Sequence, residues 1–137
     1  MPTPEDIMMF RRQHGLVAEE RAEINRQVGV RTFDTGATRS PLGDKLQYEG
    51  YLNPLVLKTF AEYMKRHQTQ SDGKQRAADN WQQGIPRDSL MDSMMRHYMD
   101  VWLYHRGYKE EMSEDIIESL CALIFNAMAY LKSVKEE

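Results

Sequence analysis

The sequence predicts an all-α protein, and three observations carry that prediction. No stretch alternates apolar and polar residues in the two-residue period of a half-buried strand. Apolar residues recur instead at three- and four-residue spacing in segments near 53–67, 86–105 and 113–133. Local start and stop chemistry brackets those segments. The chain shows no internal repeat.

Residues 5–28 predict an N-terminal helix interrupted at Gly15. Its apolar stripe (Ile7, Met8, Phe10, Leu16, Val17, Ile24, Val28) is thin among many charges. It is therefore expected on the surface or against another subunit, with Glu19, Glu20, Glu23 and Arg26 solvated. Residues 1–30 are taken as a helical extension and 31–137 as the main domain. Residues 29–52 are rich in Gly, Thr, Ser and Asp and predict a long loop without regular structure. Loops of that length are usually functional or disordered, and Phe33, Tyr48 and Tyr51 favour an ordered one over the site.

Asn53-Pro54 predicts a helix start, because Asn accepts bonds from first-turn amides and Pro suits the first helical position. Val56, Phe60, Tyr63, Met64 and His67 continue it. A second polar loop follows to residue 86, holding Lys74, Arg76, Asn80 and Trp81. A solvated linker has no use for Trp81, which needs a surface to stack on. Pro86 with Asp88 or Ser89 opens the next helix. It carries one stripe of Leu90, Met94, His97, Val101 and Tyr104, and a neighbouring one of Met91, Met95, Tyr98 and Trp102. Gly107 stops it. Ser113 is expected to cap the last helix, with Glu114 and Asp115 in its positive first turn and an end near Ser133. The architecture expected is a bundle of about four helices with long ordered loops.

At 137 residues the chain is long enough for one modest core. A net charge of -3 argues against a protein that coats nucleic acid, since that requires neutralising many phosphates. The start lacks the basic and apolar regions of a secretory signal. The most apolar stretch, 116–131, includes Glu118, Ser119 and Asn126, which argues against a membrane span. The single cysteine, Cys121, fits a reducing cytoplasm, and its apolar setting reads as core rather than nucleophile. The ten methionines, and Trp102, read as core filling.

Chemistry concentrates on the last two helices. His97 and Asp100 lie one turn apart on the first, and Asp115 and Glu118 one turn apart on the second, beside Glu114. Each pair shares a helix face. Asn126 continues the second line past small Ala122, and Arg96 adds an anion grip. Clustered carboxylates need a cation or a proton, and oxygen-rich sets suit Mg2+ or Mn2+. The ordinary alternative stands beside this: Asp100 pairs with Arg96, and Asp115 and Glu118 serve the helix N-terminus. Phosphate-cradling glycine loops, the H-E-x-x-H motif and cysteine clusters are missing from the sequence. None of the four histidines precedes an Asp.

From about Phe33 to Leu131 the order of "TGATR" (35–39), "KLQYEG" (45–50), "NPLVL" (53–57), "DNWQQGIP" (79–86), "RH" (96–97), "DVWLYHRG" (100–107) and "FNAMAYL" (125–131) resembles a known family. It is the phage and bacterial dATP/dGTP diphosphohydrolase (N-terminal domain) family of the all-α, MazG-like nucleoside triphosphate pyrophosphatases. The resemblance implies E-x-x-E and E-x-x-D metal-binding pairs. Here their places fall on His97-x-x-Asp100 and Asp115-x-x-Glu118, so His replaces one Glu. Glu49 is the candidate replacement carboxylate and Glu62 a weaker one.

On that resemblance the metal ligands are Glu49, Asp100, Asp115 and Glu118, holding two or more Mg2+ or Mn2+ ions. Asp100, Glu118, Arg96 and His97 are the catalytic candidates, the role of His97 left open. Lys45, Tyr48, Lys74, Arg76, Asn80, Trp81, Arg96 and Asn126 are the candidates for holding substrate. The implied reaction converts a purine (deoxy)nucleoside triphosphate, dGTP or GTP in the similar MazZ-type proteins, to the monophosphate and pyrophosphate. In some phages that reaction feeds 2-aminoadenine nucleotide synthesis. A homodimer or homotetramer in the host cytoplasm is expected, with no nucleic-acid or membrane partner. The competing class is a non-catalytic helical module that oligomerises or binds nucleotide.

Overall fold

The computed structural model describes residues 1–14 and 29–137, with backbone alone for 10–14. The expectations placed on residues 15–28 lie outside the described residues. The chain divides into two compact units, Met1–Tyr51 and Leu52–Glu137, so the expected boundary at residue 30 falls inside the first.

In the first unit, helix α1 spans Pro4–His14. It opens on a reciprocal cap: Thr3 donates backbone N–H and hydroxyl to Asp6 Oδ2, each at 2.8 Å, and the Asp6 amide donates to Thr3 Oγ1 at 3.1 Å. These bonds, the backbone one first, hold the Asp6 carboxyl below its usual range. The segment expected to lack regular structure contains a small antiparallel hairpin, β1 (Arg31–Thr32) with β2 (Thr38–Arg39), in register Arg31↔Arg39. Gly36, at φ 88°, makes its turn. Two-residue strands are too short to show alternation, which is why the pattern missed them. The short helix α2, Tyr48–Tyr51, ends the unit.

The second unit is built on α3 (Pro54–Arg66), α4 (Arg87–His105) and α5 (Ile116–Lys135). Asn53 caps α3 as its chemistry predicts, accepting at Oδ1 from the amides of Leu55 (2.9 Å) and Val56 (3.2 Å). The polar segment after α3 folds back through an antiparallel bridge between Thr69 and Gln75 and enters a 3-10 turn at Asn80–Gln83. Helix α4 stops two residues before Gly107, whose φ of 87° is the left-handed geometry that ends helices.

Helices α4 and α5 run antiparallel along each other, and α3 packs more narrowly on α5. At one end Arg87 clamps the pair: its Nε donates to Ser133 Oγ at 2.9 Å, its guanidinium lies over the Tyr130 ring and its Nη2 pairs with Glu137. At the other end Asp100 holds the connecting loop. Its Oδ1 accepts from the Ser113 amide at 3.1 Å and its Oδ2 from the Ser113 hydroxyl at 2.5 Å. This corrects the expected cap. Ser113 is drawn back to the buried Asp100 carboxylate, and Asp115 caps α5 instead, accepting from the Glu118 amide at 2.9 Å.

Small side chains let these helices approach. The buried set is Tyr63, Leu90, Cys121, Ala122 and Ala129, joined by Asp100, Ser119 and Asn126. Several methionines depart from expectation, while Met64 packs against the core as expected. Met9, Met91, Met95 and Met99 are exposed, and Trp102 is 46% exposed. Within its unit α4 has one long helical neighbour, α5, which covers the Leu90–His97–Val101 stripe and leaves the Met91–Tyr98–Trp102 stripe outside. Among the described residues α5 alone is long and apolar enough to cross a membrane by length and composition.

Candidate functional site

The C-terminal turn of α3 brings together what the sequence kept apart. Basic residues suit a helix C-terminus, and Arg66 and His67 stand there. Both reach Glu118, on the first turn of α5. Arg66 Nη2 donates to Glu118 Oε1, and His67 Nε2 lies 3.1 Å from Glu118 Oε2. These partners, His67 first and then Arg66, hold the Glu118 carboxyl below its usual range, against partial burial that pushes it up. Tyr63, one turn earlier, lays its ring against the His67 ring, centroids 4.2 Å apart. Burial, with Glu114 and Glu118 adding negative potential, pushes the Tyr63 phenol up to about 12.

Beside this trio opens a cavity of about 170 Å3. Tyr63, Met64, Trp81 and Phe125 give it apolar and aromatic walls, and His67, Gln68, Arg76 and Asn80 give it polar groups. The loop reaches it because its return bonds fix the entry: Arg76 N–H donates to the Gln68 carbonyl at 2.8 Å, and Gln68 Nε2 donates to the Arg76 carbonyl at 3.1 Å. Trp81 finds the surface it was expected to need, meeting Phe125 edge-on with centroids 5.8 Å apart. A few polar groups set in an apolar wall is the usual make-up of a small-molecule site.

Three of the residues expected to hold substrate, Arg76, Asn80 and Trp81, therefore line one cavity. Lys74 sits on the exposed tip of the same turn, its amide donating to Asp72 Oδ1. Asn126 is buried between α4 and α5, where its Nδ2 donates to the Ala122 carbonyl at 2.7 Å and to Ser93 Oγ at 3.2 Å. Arg96 is exposed and does not pair with Asp100. His97 Nδ1 lies 3.4 Å from Glu114 Oε2. Lys45, Tyr48 and Glu49 are exposed residues of the first unit.

Within the second unit, the expected metal ligands Asp100, Asp115 and Glu118 each engage a different partner. Asp100 engages both oxygens with Ser113, Glu118 turns toward α3, and Asp115 caps its helix and lines a separate depression with Lys109, Ser113 and Glu114. Among the described residues no group of three acidic, His or Cys side chains is placed to hold an ion. Asp115 and Glu118 stand three positions apart at the start of α5, with both Glu118 oxygens engaged by Arg66 and His67.

Sequence reasoning missed Arg66, His67 and Ser113. His67 was legible as part of the α3 stripe. Its carboxylate partner lies 51 positions away, and no local pattern points across that gap. The chain matches no family model, curated protein or solved structure.

Proposed function

We propose that the protein is a MazG-like (d)NTP pyrophosphohydrolase acting on a purine substrate, dGTP or GTP. The ordered motifs between Phe33 and Leu131 support that reading. The observation that carries it is the placement of Arg76, Asn80 and Trp81 around one cavity whose His67 wall bonds to Glu118. The reaction adds water across the bond between the α phosphorus and the α–β bridging oxygen, so dGTP and water give dGMP and pyrophosphate.

On this reading Trp81 and Phe125 face the base, and Asn80 offers an amide to its polar edge. Arg76, Arg66 and His67 hold phosphate oxygens, since guanidinium forks and imidazole donors suit them. Glu118 and Asp115 would be the carboxylates to hold a Mg2+ or Mn2+ ion, which would supply charge neutralisation and a more acidic water. Arg66 and His67, which here engage the two Glu118 oxygens, stand beside the cavity where phosphate oxygens would lie.

The test is incubation with dGTP and Mn2+ or Mg2+, with chromatography for dGMP and pyrophosphate. The expected result is equimolar formation of both. No turnover of any purine triphosphate with either metal would overturn the proposal. The dispersal of the carboxylates favours one second reading, a module that binds nucleotide without hydrolysis. It would raise the melting temperature with nucleotide and form no product.

A further inference from the structure

Helix α5 carries a second apolar surface that its contacts with α3 and α4 do not use. Ile117, Leu120, Ile124, Ala127, Leu131 and Val134 follow one another at alternating steps of three and four, the seven-residue repeat of a coiled-coil seam. The repeat runs the length of the helix, Ile116–Lys135. The seam lies outside the unit: Ile117 is 54% exposed, Leu120 43%, Ile124 40%, Leu131 61% and Val134 42%. The opposite line of the helix, Ser119, Ala122, Asn126 and Ala129, is buried.

We infer that this seam pairs with the same seam of a second copy, antiparallel, about a two-fold axis between Ile124 and Ala127. Read end to end, the seam complements itself. The pairing sets Ile117 against Val134, Leu120 against Leu131 and Ile124 against Ala127, and small Ala127 lets the axes approach at the centre. Charge agrees with the direction. The helix begins at Asp115 and Glu118 and ends at Lys132 and Lys135, so antiparallel pairing brings Lys135 of one copy beside the Asp115 turn of the other and aligns the helix dipoles favourably.

The area also suffices. The exposed parts of these side chains amount to roughly 450 Å2 of apolar surface per chain. With the apolar share usual at a homodimer interface, that corresponds to about 1,400 Å2 buried in total, inside the range of specific stable pairs. The inference is independent of the enzymatic proposal, since no seam residue lines the cavity.

Light scattering on the full chain at micromolar concentration should give the mass of a dimer or of a multiple of two. The variant carrying both Leu120→Arg and Leu131→Arg should halve the mass and keep helical circular dichroism, because both residues are exposed. A monomeric wild-type chain would overturn the inference and leave the N-terminal unit or a different protein as the cover. So would an oligomer that the double variant leaves intact. Direction is tested by oxidative cross-linking of Ile124→Cys chains with Ala127→Cys chains. The mixture should form a dimer-sized disulfide product, whereas efficient cross-linking of either variant alone would signify parallel pairing and overturn the two-fold arrangement.

Discussion

The two sides of α5 use carboxylates in opposite ways. On the α4 side Asp100 is buried, with both oxygens taken by Ser113, and Asn126 bridges Ala122 and Ser93. On the α3 side Glu118 is partly exposed and held by Arg66 and His67, whose side chains are each about half exposed. The first arrangement closes a joint, since removing a partner strands polar groups away from water. The second is exchangeable, because its members can be solvated or bonded to another ligand at small cost. The residue most attractive as a catalytic acid from its sequence neighbours, Asp100, belongs to the joint. The exchangeable carboxylate stands next to the cavity.

Substitution at the joint carries the largest expected effect. Asp100→Ala should lower unfolding free energy by about 3 kcal/mol, since it removes two charge-assisted bonds and strands the Ser113 groups. Urea denaturation measures it, and a loss under about 1 kcal/mol would erase the contrast. Ser119→Ala sharpens the same side in the other direction. The Ser119 hydroxyl is buried without a hydrogen-bond partner. Its removal should stabilise the protein by about 1 kcal/mol, helped by the better helix propensity of Ala. An unchanged or lower denaturation midpoint would mean that the hydroxyl is satisfied in solution.

On the open side, Glu118→Gln should cost less than about 1 kcal/mol at pH 7 while abolishing metal-dependent turnover of dGTP. Full activity would return Glu118 to a purely structural role. The pH dependence has a definite sign. The folded Glu118 carboxyl lies below its ordinary value of 4.5. Its contribution is therefore present above pH 4.5 and lost as pH falls through the lower folded value. Melting curves of wild type and Glu118→Gln should converge in acid, and a gap that persists at the lowest pH would contradict the ion pair.

The smallest signal is spectroscopic. One of the seven tyrosines, Tyr63, should ionise last, near pH 12. Because its folded value is raised, the associated stability is intact below pH 10 and declines as pH rises toward 12. Absorbance at alkaline pH, with Tyr63→Phe as the control, checks it.

What the sequence revealed, and what it hid, follows the reach of each interaction. The start of α3 and the end of α4 were legible because Asn53 and Gly107 act on their own turns. The cap of α5 was misplaced by two residues because the partner that claims Ser113 lies thirteen positions back. Trp81 announced a packed loop through its own chemistry, and it packs on Phe125 at the cavity wall. The exposed methionines were misread because periodicity reports that a helix has an apolar stripe, while the number of neighbours decides whether the stripe is covered. The partners of the carboxylates were hidden for a related reason. Spacing of three places two side chains on one helix face, while groups distant in sequence or outside the helix, Ser113 for Asp100 and Arg66 with His67 for Glu118, decide where each carboxylate turns.

Cys121 turns the α3–α5 contact into something that can be timed. The residue is 4% exposed, packed with Tyr63 and Ala122, and burial pushes the thiol pKa up. A thiol reagent should reach it only when the packing of Tyr63 on Cys121 opens. As the chain has no other cysteine, the rate of labelling in the native protein is a clock for that opening, free of competing sites. A ligand seated in the cavity leans on Tyr63, Met64 and Phe125, which belong to the cluster around Cys121, so occupancy should slow the clock. The protein thus carries an intrinsic occupancy gauge that needs neither a fluorophore nor a substitution.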